Sequence, residues 1–443
     1  MGSSALSVLA HLLLKRVGEA KPEPRLDATR RALELLGSPH LRIPVVHVTG
    51  TNGKTSTSRM IESILRKSGL RTGLFTSPHI SRLNERFVVD GEPVSDELLI
   101  RAWGSVEPAV RAADEEFRAR GRTALTYFEV LTVIGFSVFA EAGVDVCVLE
   151  VGMGGEWDST NVAIARVAVF TPISLDQAAE LGSTVAEIAH TKAGIIKPGC
   201  TVVTAIQPES ALAELRLAAE GKGARLLIQA SDFEVESDRP TAAGRLLSIR
   251  TPAGLHDGLE LGLRGAHQSQ NAAVAVAAAE AYLAMSGRPV TEKAIAQGLA
   301  AATSPGRLQH VSEQPPVVVD AAHNPAGAES LARALRDSFD FSYIVLVLSI
   351  LAEKDVAGIL AELSGVVSEV VVTWSGSDRA IPAEELAEIV RDVLSVEVHV
   401  EPDVDRAIEL AKRIAVGRQD GAVVVTGSIS LLAAAATAAT RVS

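Results

Sequence analysis

The sequence predicts an α/β protein of two domains, each built on a mainly parallel sheet with helices on both faces. The chain has 443 residues, more than one hydrophobic core usually supports. Short runs of β-branched residues alternate with longer amphipathic segments, which is the pattern of β–α units. The alternation begins again after Thr303-Ser304-Pro305-Gly306. We therefore expect a first domain of residues 1–303 and a second, Rossmann-like domain of residues 304–443.

The first domain is expected to form a doubly wound sheet with a small antiparallel annex. Apolar runs predict parallel strands at residues 43–48, 72–76, 144–149, 167–171 and 201–206. Helical periodicity predicts helices at 26–36, 54–68, 96–119, 127–142, 184–195 and 271–285. Residues 224–264 alternate apolar and polar side chains between Pro and Gly, which predicts β-hairpins.

The second domain is expected to repeat the β–α alternation. Strands are predicted at 317–320, 344–349, 370–374, 396–400 and 422–426. Helices are predicted between them at 326–337, 356–364, 382–393 and 404–415.

Composition argues against several classes of function. The formal charge of −12 is unfavourable for a general nucleic-acid or anionic-membrane binder, because such proteins need a basic surface. No apolar run reaches the length of a membrane span, and the apolar N-terminal segment has its charges on the wrong side for a signal peptide. The cysteines, Cys147 and Cys200, lie in separate strand-like runs, which indicates buried thiols in a reducing compartment. We expect a cytoplasmic monomer.

The segment Gly50-Thr51-Asn52-Gly53-Lys54-Thr55 lies between a predicted strand and a predicted helix. Its glycines let backbone N–H groups turn inward, the helix N-terminus favours an anion, and Lys54 can reach a phosphate. The hydroxyls of Thr55 and Ser56 can meet a magnesium ion. The loop is two residues shorter than the usual G-x-x-x-x-G-K-[ST] pattern, yet its context predicts a P-loop-type ATPase domain.

Glu150 ends a buried strand and is followed by the flexible stretch Val151-Gly152-Met153-Gly154-Gly155. Ligands bind beyond the carboxyl ends of parallel strands, where Ser77 and Asp176 are also expected. A carboxylate facing a phosphate site has to be neutralised, so we expect Glu150 to hold magnesium. A carboxylate that only caps the glycine-rich turn is the structural alternative.

Many motifs together resemble the Mur ligase superfamily, within it the folylpolyglutamate synthase and dihydrofolate synthase branch. They cover most of the chain: HVTGTNGKTS at 47–56, TSPH at 76–79, NERF at 84–87, YFEVLT at 127–132, EVGMGGEWDSTN at 150–161, KAGIIKPG at 192–199, HQSQNA at 267–272, SPGRLQ at 304–309, DAAHNP at 320–325, EKD at 353–355 and VVTGS at 424–428.

The resemblance implies an amide ligase in which ATP phosphorylates a carboxylate and an amino group attacks the acyl phosphate. Expected catalytic residues are Lys54, Glu150, Lys192, Arg307 and His323. Expected nucleotide contacts are Thr49, Gly50, Thr51, Asn52, Gly53, Lys54, Thr55, Ser56, Asn271, Arg307 and Asp320. Expected ligands of one or two magnesium ions are Thr55, Ser77, Glu150, Gln177 and Lys192. A closing movement is expected to bring the second-domain residues to the phosphate.

Structural alternatives remain for three of these residues. Arg307 could be an interdomain salt bridge, Asn271 a helix N-cap, and His323 a structural histidine at a strand end. Lys192 matches a lysine that the family often carries as a carbamate, a modification that would turn a cation into a metal-binding anion. We state that modification as a hypothesis from the motif.

Three residues depart from the family pattern near the expected metals: Gln177 replaces His, Thr191 replaces Glu, and Glu156 replaces Arg. They leave three functions open. The first is an ordinary folate enzyme that adds glutamate to folates and to dihydropteroate. The second is a paralogue that joins an amino acid to another carboxylate, and the third is an ATP-binding protein with degraded catalysis. The retained motif residues argue against the third, and of the other two we favour the first.

Overall fold

The computed structural model describes residues 9–18, 23–176 and 178–440, with the backbone alone for 178, 179 and 436–440. It divides into two compact units. The first comprises Met1–Glu236, Ser248–Leu259 and Gln270–Ala302, and the second comprises Ser237–Leu247, Glu260–Ser269 and Thr303–Ser443. The expected boundary lies one residue from the last of these divisions, but the second unit also takes in two stretches that the sequence assigned to the first.

The first unit is organised around an eight-stranded sheet in the order β4-β3-β2-β5-β1-β6-β7-β8. The strands are β1 (Val45–Thr49), β2 (Thr72–Phe75), β3 (Phe87–Val89), β4 (Glu92–Pro93), β5 (Val146–Glu150), β6 (Ala165–Phe170), β7 (Thr201–Thr204) and β8 (Arg225–Ile228). All neighbouring pairs from β2 to β8 are parallel, whereas β3 and β4 add an antiparallel edge. The fold class predicted from the sequence is confirmed.

Helices cover the sheet, and several of them begin at a side chain that caps the helix. They are α1 (Asp27–Leu35), α2 (Lys54–Lys67), α3 (Asp96–Ala119), α4 (Tyr127–Ala142), α5 (Ala178–Leu181), α6 (Val185–Ala193), α7 (Glu209–Gly221), α8 (Ala266–Met285) and α9 (Glu292–Ala301). Residues 9–14 are also helical, and short 3-10 helices span Pro39–Leu41, Leu83–Arg86 and Ser159–Val162. In α4, for example, the Thr126 hydroxyl accepts from Glu129 N and Gly143 ends the helix at φ 63°.

The predicted antiparallel annex is present, but it begins later in the chain than the sequence predicts. Three strands, β9 (Glu234–Thr241), β10 (Gly244–Thr251) and β11 (Gly254–Leu261), form a separate sheet in the order β11-β10-β9. Residues 225–228, which were assigned to the annex, instead form β8 and pair in parallel with β7. Their short apolar run fits either sheet, so local pattern could not separate the two arrangements.

The second unit contains a six-stranded sheet in the order β12-β13-β17-β14-β15-β16. The strands are β12 (Gln309–Glu313), β13 (Pro316–Val319), β14 (Tyr343–Leu348), β15 (Glu369–Val372), β16 (Glu397–Val400) and β17 (Gly421–Thr426). Its helices are α10 (Pro325–Ser338), α11 (Val356–Leu363), α12 (Ala383–Val393), α13 (Val404–Val416) and α14 (Ile429–Thr440). Only β12 runs antiparallel to its neighbour, and the sequence did not predict that strand.

Each unit has its own aliphatic core. In the first, Phe75 of β2 and Phe136 and Phe139 of α4 lie among Val, Leu and Ala side chains, some of them from α1 and α3. In the second, Leu346, Leu348 and Val370 pack against α10, α11 and α12. Among the described residues, no helix is both long and apolar enough to cross a membrane.

Candidate active site

The glycine loop connects β1 to α2 and is held so closely that two of its positions require glycine. Gly50 has φ +149°, and a Cβ there would lie 1.9 Å from the Thr171 hydroxyl oxygen. Gly53 has φ +87°, and a Cβ there would lie 2.7 Å from Asn271 Oδ1. Both clashes involve neighbours from elsewhere in the first unit, so the loop is positioned by tertiary packing as well as by its own turn.

Lys54 folds back over this loop. Its ammonium donates to the carbonyl oxygens of Gly50 and Thr51, at 3.1 Å each. The loop is tied in turn to the segment after β6, because Pro172 O accepts from Thr51 N at 2.9 Å and Ser174 O accepts from the Thr51 hydroxyl at 3.1 Å. The ammonium therefore lies at the N-terminus of α2, where an anion is favoured.

Glu150 ends β5 beside β1 and contacts two of the other predicted metal ligands. Its Oε1 accepts from the Thr55 hydroxyl at 2.8 Å, and its Oε2 accepts from Ser77 N at 3.3 Å. The Glu150 side chain is buried. The parallel pairing of β1, β2 and β5 explains this meeting, since their carboxyl ends lie at one edge of the sheet.

Lys192, on α6, reaches the same loop from the other side. Its ammonium donates to Gly50 O at 2.9 Å and is buried. Burial and, to a smaller extent, the charge of Lys54 lower the pKa of Lys192 to about 7, whereas Asp176 and Asp158 oppose the shift. One carbonyl oxygen thus accepts from both Lys54 and Lys192, which places two amino groups next to one another.

Other predicted loop residues support this arrangement. The Thr49 hydroxyl donates to Gly154 O at 2.7 Å and joins the glycine loop to the glycine-rich stretch after β5. Ser56 is 1% exposed in the first turn of α2, whereas Asn52 is partly exposed in the loop itself. Gln177, the predicted ligand that departs from the family pattern, lies outside the described residues.

The predicted position of Asn271 at a helix start is wrong. The helix that contains it begins at Ala266, so Asn271 lies in the second turn and is not an N-cap. Its amide instead packs against Gly53. The run HQSQNA extends the helix towards its N-terminus, and the alanine-rich pattern from 272 onward had concealed this start.

The second unit holds three further predicted residues close together. Asp320 is buried; its Oδ2 accepts from Leu308 N and its Oδ1 accepts from Ala322 N, both at 2.9 Å. Burial raises the pKa of Asp320, and the charges of Arg307 and His323 oppose that shift. His323 Nδ1 lies 2.8 Å from Ala321 O, which fixes its ring.

Sequence reasoning assigned no role to Asp158, which organises the stretch after β5. Its Oδ2 accepts from Met153 N and its Oδ1 from Thr160 N, both at 2.9 Å. The Thr160 hydroxyl lies 2.8 Å from Nε2 of His47, a buried β1 histidine whose pKa is lowered to about 3, chiefly by burial. The motif EVGMGGEWDSTN was the available signal for Asp158, whereas nothing in the sequence joined His47 to it.

A group of side chains in the second unit could also be considered as a cation site. Among the described residues, only Glu369, Glu397 and His399 form a group of three His, Cys, Asp or Glu side chains with closely placed ligand atoms. Glu369 there already accepts from Tyr343, from His399 Nε2 at 2.9 Å and from Arg418 at 3.1 Å. A nearby guanidinium disfavours a metal ion, so we interpret this group as a structural network.

Comparison with known proteins agrees with the geometry. The Mur ligase middle domain family matches residues 48–279, and the Mur ligase glutamate ligase domain family matches residues 306–429. The dihydrofolate synthase/folylpolyglutamate synthase of Mycobacterium tuberculosis is 41% identical over 394 residues, 87% of this chain and 81% of that protein. The folylpolyglutamate synthase of Lacticaseibacillus casei is 38% identical over 81% of this chain and 85% of its own length.

The fold agrees equally well with a solved structure. Crystal structures of the Mycobacterium tuberculosis folylpolyglutamate synthase complexed with ADP and AMPPCP superpose with a TM-score of 0.94 and 38% identity, covering 100% of this chain and 99% of that one. The resemblance seen in the sequence is confirmed: the chain belongs to the Mur ligase superfamily and, within it, to the folylpolyglutamate synthase and dihydrofolate synthase family of ATP-dependent ligases.

Proposed function

We propose that this protein joins L-glutamate to a folate through an amide bond, at the expense of ATP, and that dihydropteroate is a further acceptor. The observation that carries the proposal is the linked set of Lys54, Thr55 and Glu150 at the carboxyl ends of β1 and β5. It combines a phosphate loop with a buried carboxylate, as an ATP-dependent ligase requires. The names and nucleotide complexes of the relatives supply the choice of substrates.

ATP is proposed to bind with its phosphates at the glycine loop. Gly50 and Gly53 keep side chains away from the phosphate oxygens, and the N-terminus of α2 favours their negative charge. Lys54 then turns from the carbonyls of Gly50 and Thr51 to the β- and γ-phosphates. Asn271 lies against Gly53 and is proposed as the contact to the base.

The donor set fits magnesium. Thr55 Oγ1 and Glu150 Oε1 are neutral and anionic oxygens 2.8 Å apart, and hard divalent ions prefer such ligands. Thr55, Glu150 and Ser77 would hold the ion, which neutralises phosphate charge when bound. The burial of Glu150 supports this role, because a carboxylate buried beside a phosphate site is stabilised by a divalent ion.

The proposed reaction has two steps. A carboxylate oxygen of the folate attacks the γ-phosphorus of ATP, ADP leaves, and an acyl phosphate forms. The neutral amine of glutamate attacks the acyl carbon, the amide bond forms, phosphate leaves and the amine loses a proton. Lys54 stabilises the charge on the transferred phosphoryl group. Arg307 and His323 are proposed to contribute positive charge to the same group, and Asp320 to fix the backbone around Arg307.

Lys192 is proposed to carry a carbamate. Its pKa of about 7 leaves a large neutral fraction at physiological pH, and the neutral amine is the form that adds to carbon dioxide with loss of one proton. The anion formed removes the repulsion between two cations that share the Gly50 carbonyl. Mass spectrometry of the intact protein equilibrated with bicarbonate and trapped by alkylation tests this, and an unmodified Lys192 at every bicarbonate concentration overturns it.

An acceptor panel tests the function. Purified protein receives ATP, magnesium and glutamate with tetrahydrofolate, dihydropteroate or unrelated carboxylic acids, and both ADP and amide products are followed. Turnover that requires a folate or dihydropteroate supports the proposal. Turnover only with another acid would identify a specialised paralogue, which Glu156 and Thr191 leave open, and ATP binding without turnover on any acid would identify degraded catalysis. Light scattering on the same sample tests the proposed monomer.

A further inference from the structure

A cavity of about 320 Å³ lies at the amino ends of the central strands of the first unit, opposite the glycine loop. It is lined by residues that precede β1, begin β6 and precede β7, together with the end of α8. β1 has five residues and rises about 16 Å, so this cavity and the loop lie at opposite ends of one strand. The cavity therefore does not belong to the site proposed for ATP.

Its walls carry unusually exposed apolar side chains. Leu41, Ile164 and Met285 are each among the large hydrophobic residues that remain exposed, with Ile164 63% exposed. Ile43, Pro44 and Pro198 complete an apolar lining. Single exposed hydrophobic residues are ordinary, but three that converge on one concave surface are typical of a ligand site.

The mouth of the cavity is positively charged although the protein is acidic overall. Arg42 and Arg166 line it and are exposed. The Arg42 guanidinium donates to Gly37 O at 2.8 Å, whereas the Arg166 guanidinium makes no hydrogen bond or ion pair within the part of the chain that the structure describes. An unpaired guanidinium beside apolar walls favours a carboxylate, sulfonate or phosphate.

Neighbouring charges reinforce this potential. Burial and the charge of Arg30 lower the pKa of His40. Burial, with the charges of Lys222 and Arg30, lowers the pKa of Lys197 to about 8. Two carboxylates have the opposite effect. Glu34 raises the pKa of His40, and burial and Asp145 raise the pKa of Tyr282, which Arg166 lowers. Among these charged groups and the two lining arginines, cations outnumber carboxylates.

His40 forms part of the cavity wall. It lines the cavity, is only 4% exposed, and packs its ring against Phe136 with centroids 5.7 Å apart. Its Nδ1 is buried and has no hydrogen-bond partner within the described structure. The ring thus gives the cavity a buried aromatic wall.

We propose that this cavity binds a small organic anion with an apolar body, its acidic group between Arg42 and Arg166 and its apolar part against Leu41, Ile164 and Met285. The site is separate from the proposed ATP site and does not depend on it. Its ligand class is that of amphipathic aromatic carboxylates, sulfonates and phosphates.

The probe 8-anilinonaphthalene-1-sulfonate tests this with the full-length protein. We expect a saturable rise in its fluorescence that saturating ADP with magnesium does not displace. Arg166→Ala is expected to weaken binding about fivefold and Ile164→Glu about tenfold or more, since the second adds a repelling charge. Both variants are expected to keep the parent's melting temperature and ligase activity.

Matched controls lie on α7. Arg216→Ala and Leu217→Glu change an exposed arginine and a leucine that is 66% exposed, close to the 63% of Ile164, and neither residue lines the cavity. They are expected to leave probe binding unchanged. No saturable binding, displacement by ADP, or equal affinity of the Arg166→Ala and Ile164→Glu variants and the parent would each overturn the proposal.

Discussion

The two ends of β1 differ in how their polar groups are paired. At the carboxyl end, Lys54, Lys192 and Glu150 are bound to loop carbonyls, a hydroxyl and a backbone amide. At the amino end, the guanidinium of Arg166 and the buried Nδ1 of His40 have no such partner within the described structure. Groups that are already paired hold a reaction geometry, whereas an exposed charge without a partner, such as the Arg166 guanidinium, indicates a place for a ligand of complementary charge.

This difference predicts that substitutions at the carboxyl end affect catalysis much more than those at the amino end. Lys54→Ala is expected to lower turnover about 10³-fold, because it removes the cation from the transferred phosphoryl group. ADP release under saturating substrates measures this. Arg166→Ala, at the amino end, serves as the control and should match the parent. A Lys54→Ala variant within about tenfold of the parent would contradict the assignment.

The two ends can also be compared through their glycines. Gly50→Ala would put a Cβ 1.9 Å from Thr171 Oγ1 at φ +149°, so the free energy of unfolding should fall by about 2–4 kcal/mol. Gly199, which lines the amino-end cavity, has φ +69° and open space around its Cβ. Gly199→Ala should therefore cost only about 1 kcal/mol. Urea unfolding measures both, and equal losses would show that packing does not fix the loop.

Glu150→Gln is expected to lower turnover about 10²-fold and to raise the magnesium concentration needed for half-maximal rate. The amide keeps an acceptor for the Thr55 hydroxyl, so the melting temperature should change little. Initial rates over a magnesium titration measure both the turnover and the magnesium dependence. Glu209→Gln, an exposed change on α7, is the control. A parent-like magnesium profile in Glu150→Gln would remove Glu150 from the metal site.

The last expected effect concerns Lys192 and pH. In the folded protein its pKa is about 7, whereas in the unfolded chain it is near 10.5, so between these values the unfolded chain binds more protons. Stability should therefore rise with pH across that interval, by at most about 1.4 kcal/mol per pH unit from this group. Lys192→Met should remove that rise.

Urea unfolding from pH 7 to 10 in bicarbonate-free buffer tests the prediction for parent and Lys192→Met. The exposed Lys222→Met variant is the control and should follow the parent. An unchanged pH slope in Lys192→Met would show that Lys192 is charged in the folded state.

Much of the first unit's site could be predicted because its residues lie next to strong local signals. Lys54 and Thr55 follow a strand and a glycine turn, and Glu150 ends an apolar run, so strand ends alone placed them at one sheet edge. The predicted start of α8 and the predicted assignment of β8 to the antiparallel annex were wrong, because helix and strand periodicity do not show which neighbours an element will contact. Asp158 and His47 escaped notice because their link depends on a contact between distant segments.

The sequence by itself determined the two α/β domains, the family and the residues of the phosphate loop, since these depend on local order and spacing. Only the tertiary structure decided that Lys54 and Lys192 share the Gly50 carbonyl, and that Thr171 and Asn271 leave no room for side chains at Gly50 and Gly53. It alone assembled the amino-end cavity from residues 40–44, 164–166, 198–200 and 285. The physical reason is that packing brings together groups separated by more than a hundred residues, and their burial and charge depend on those neighbours.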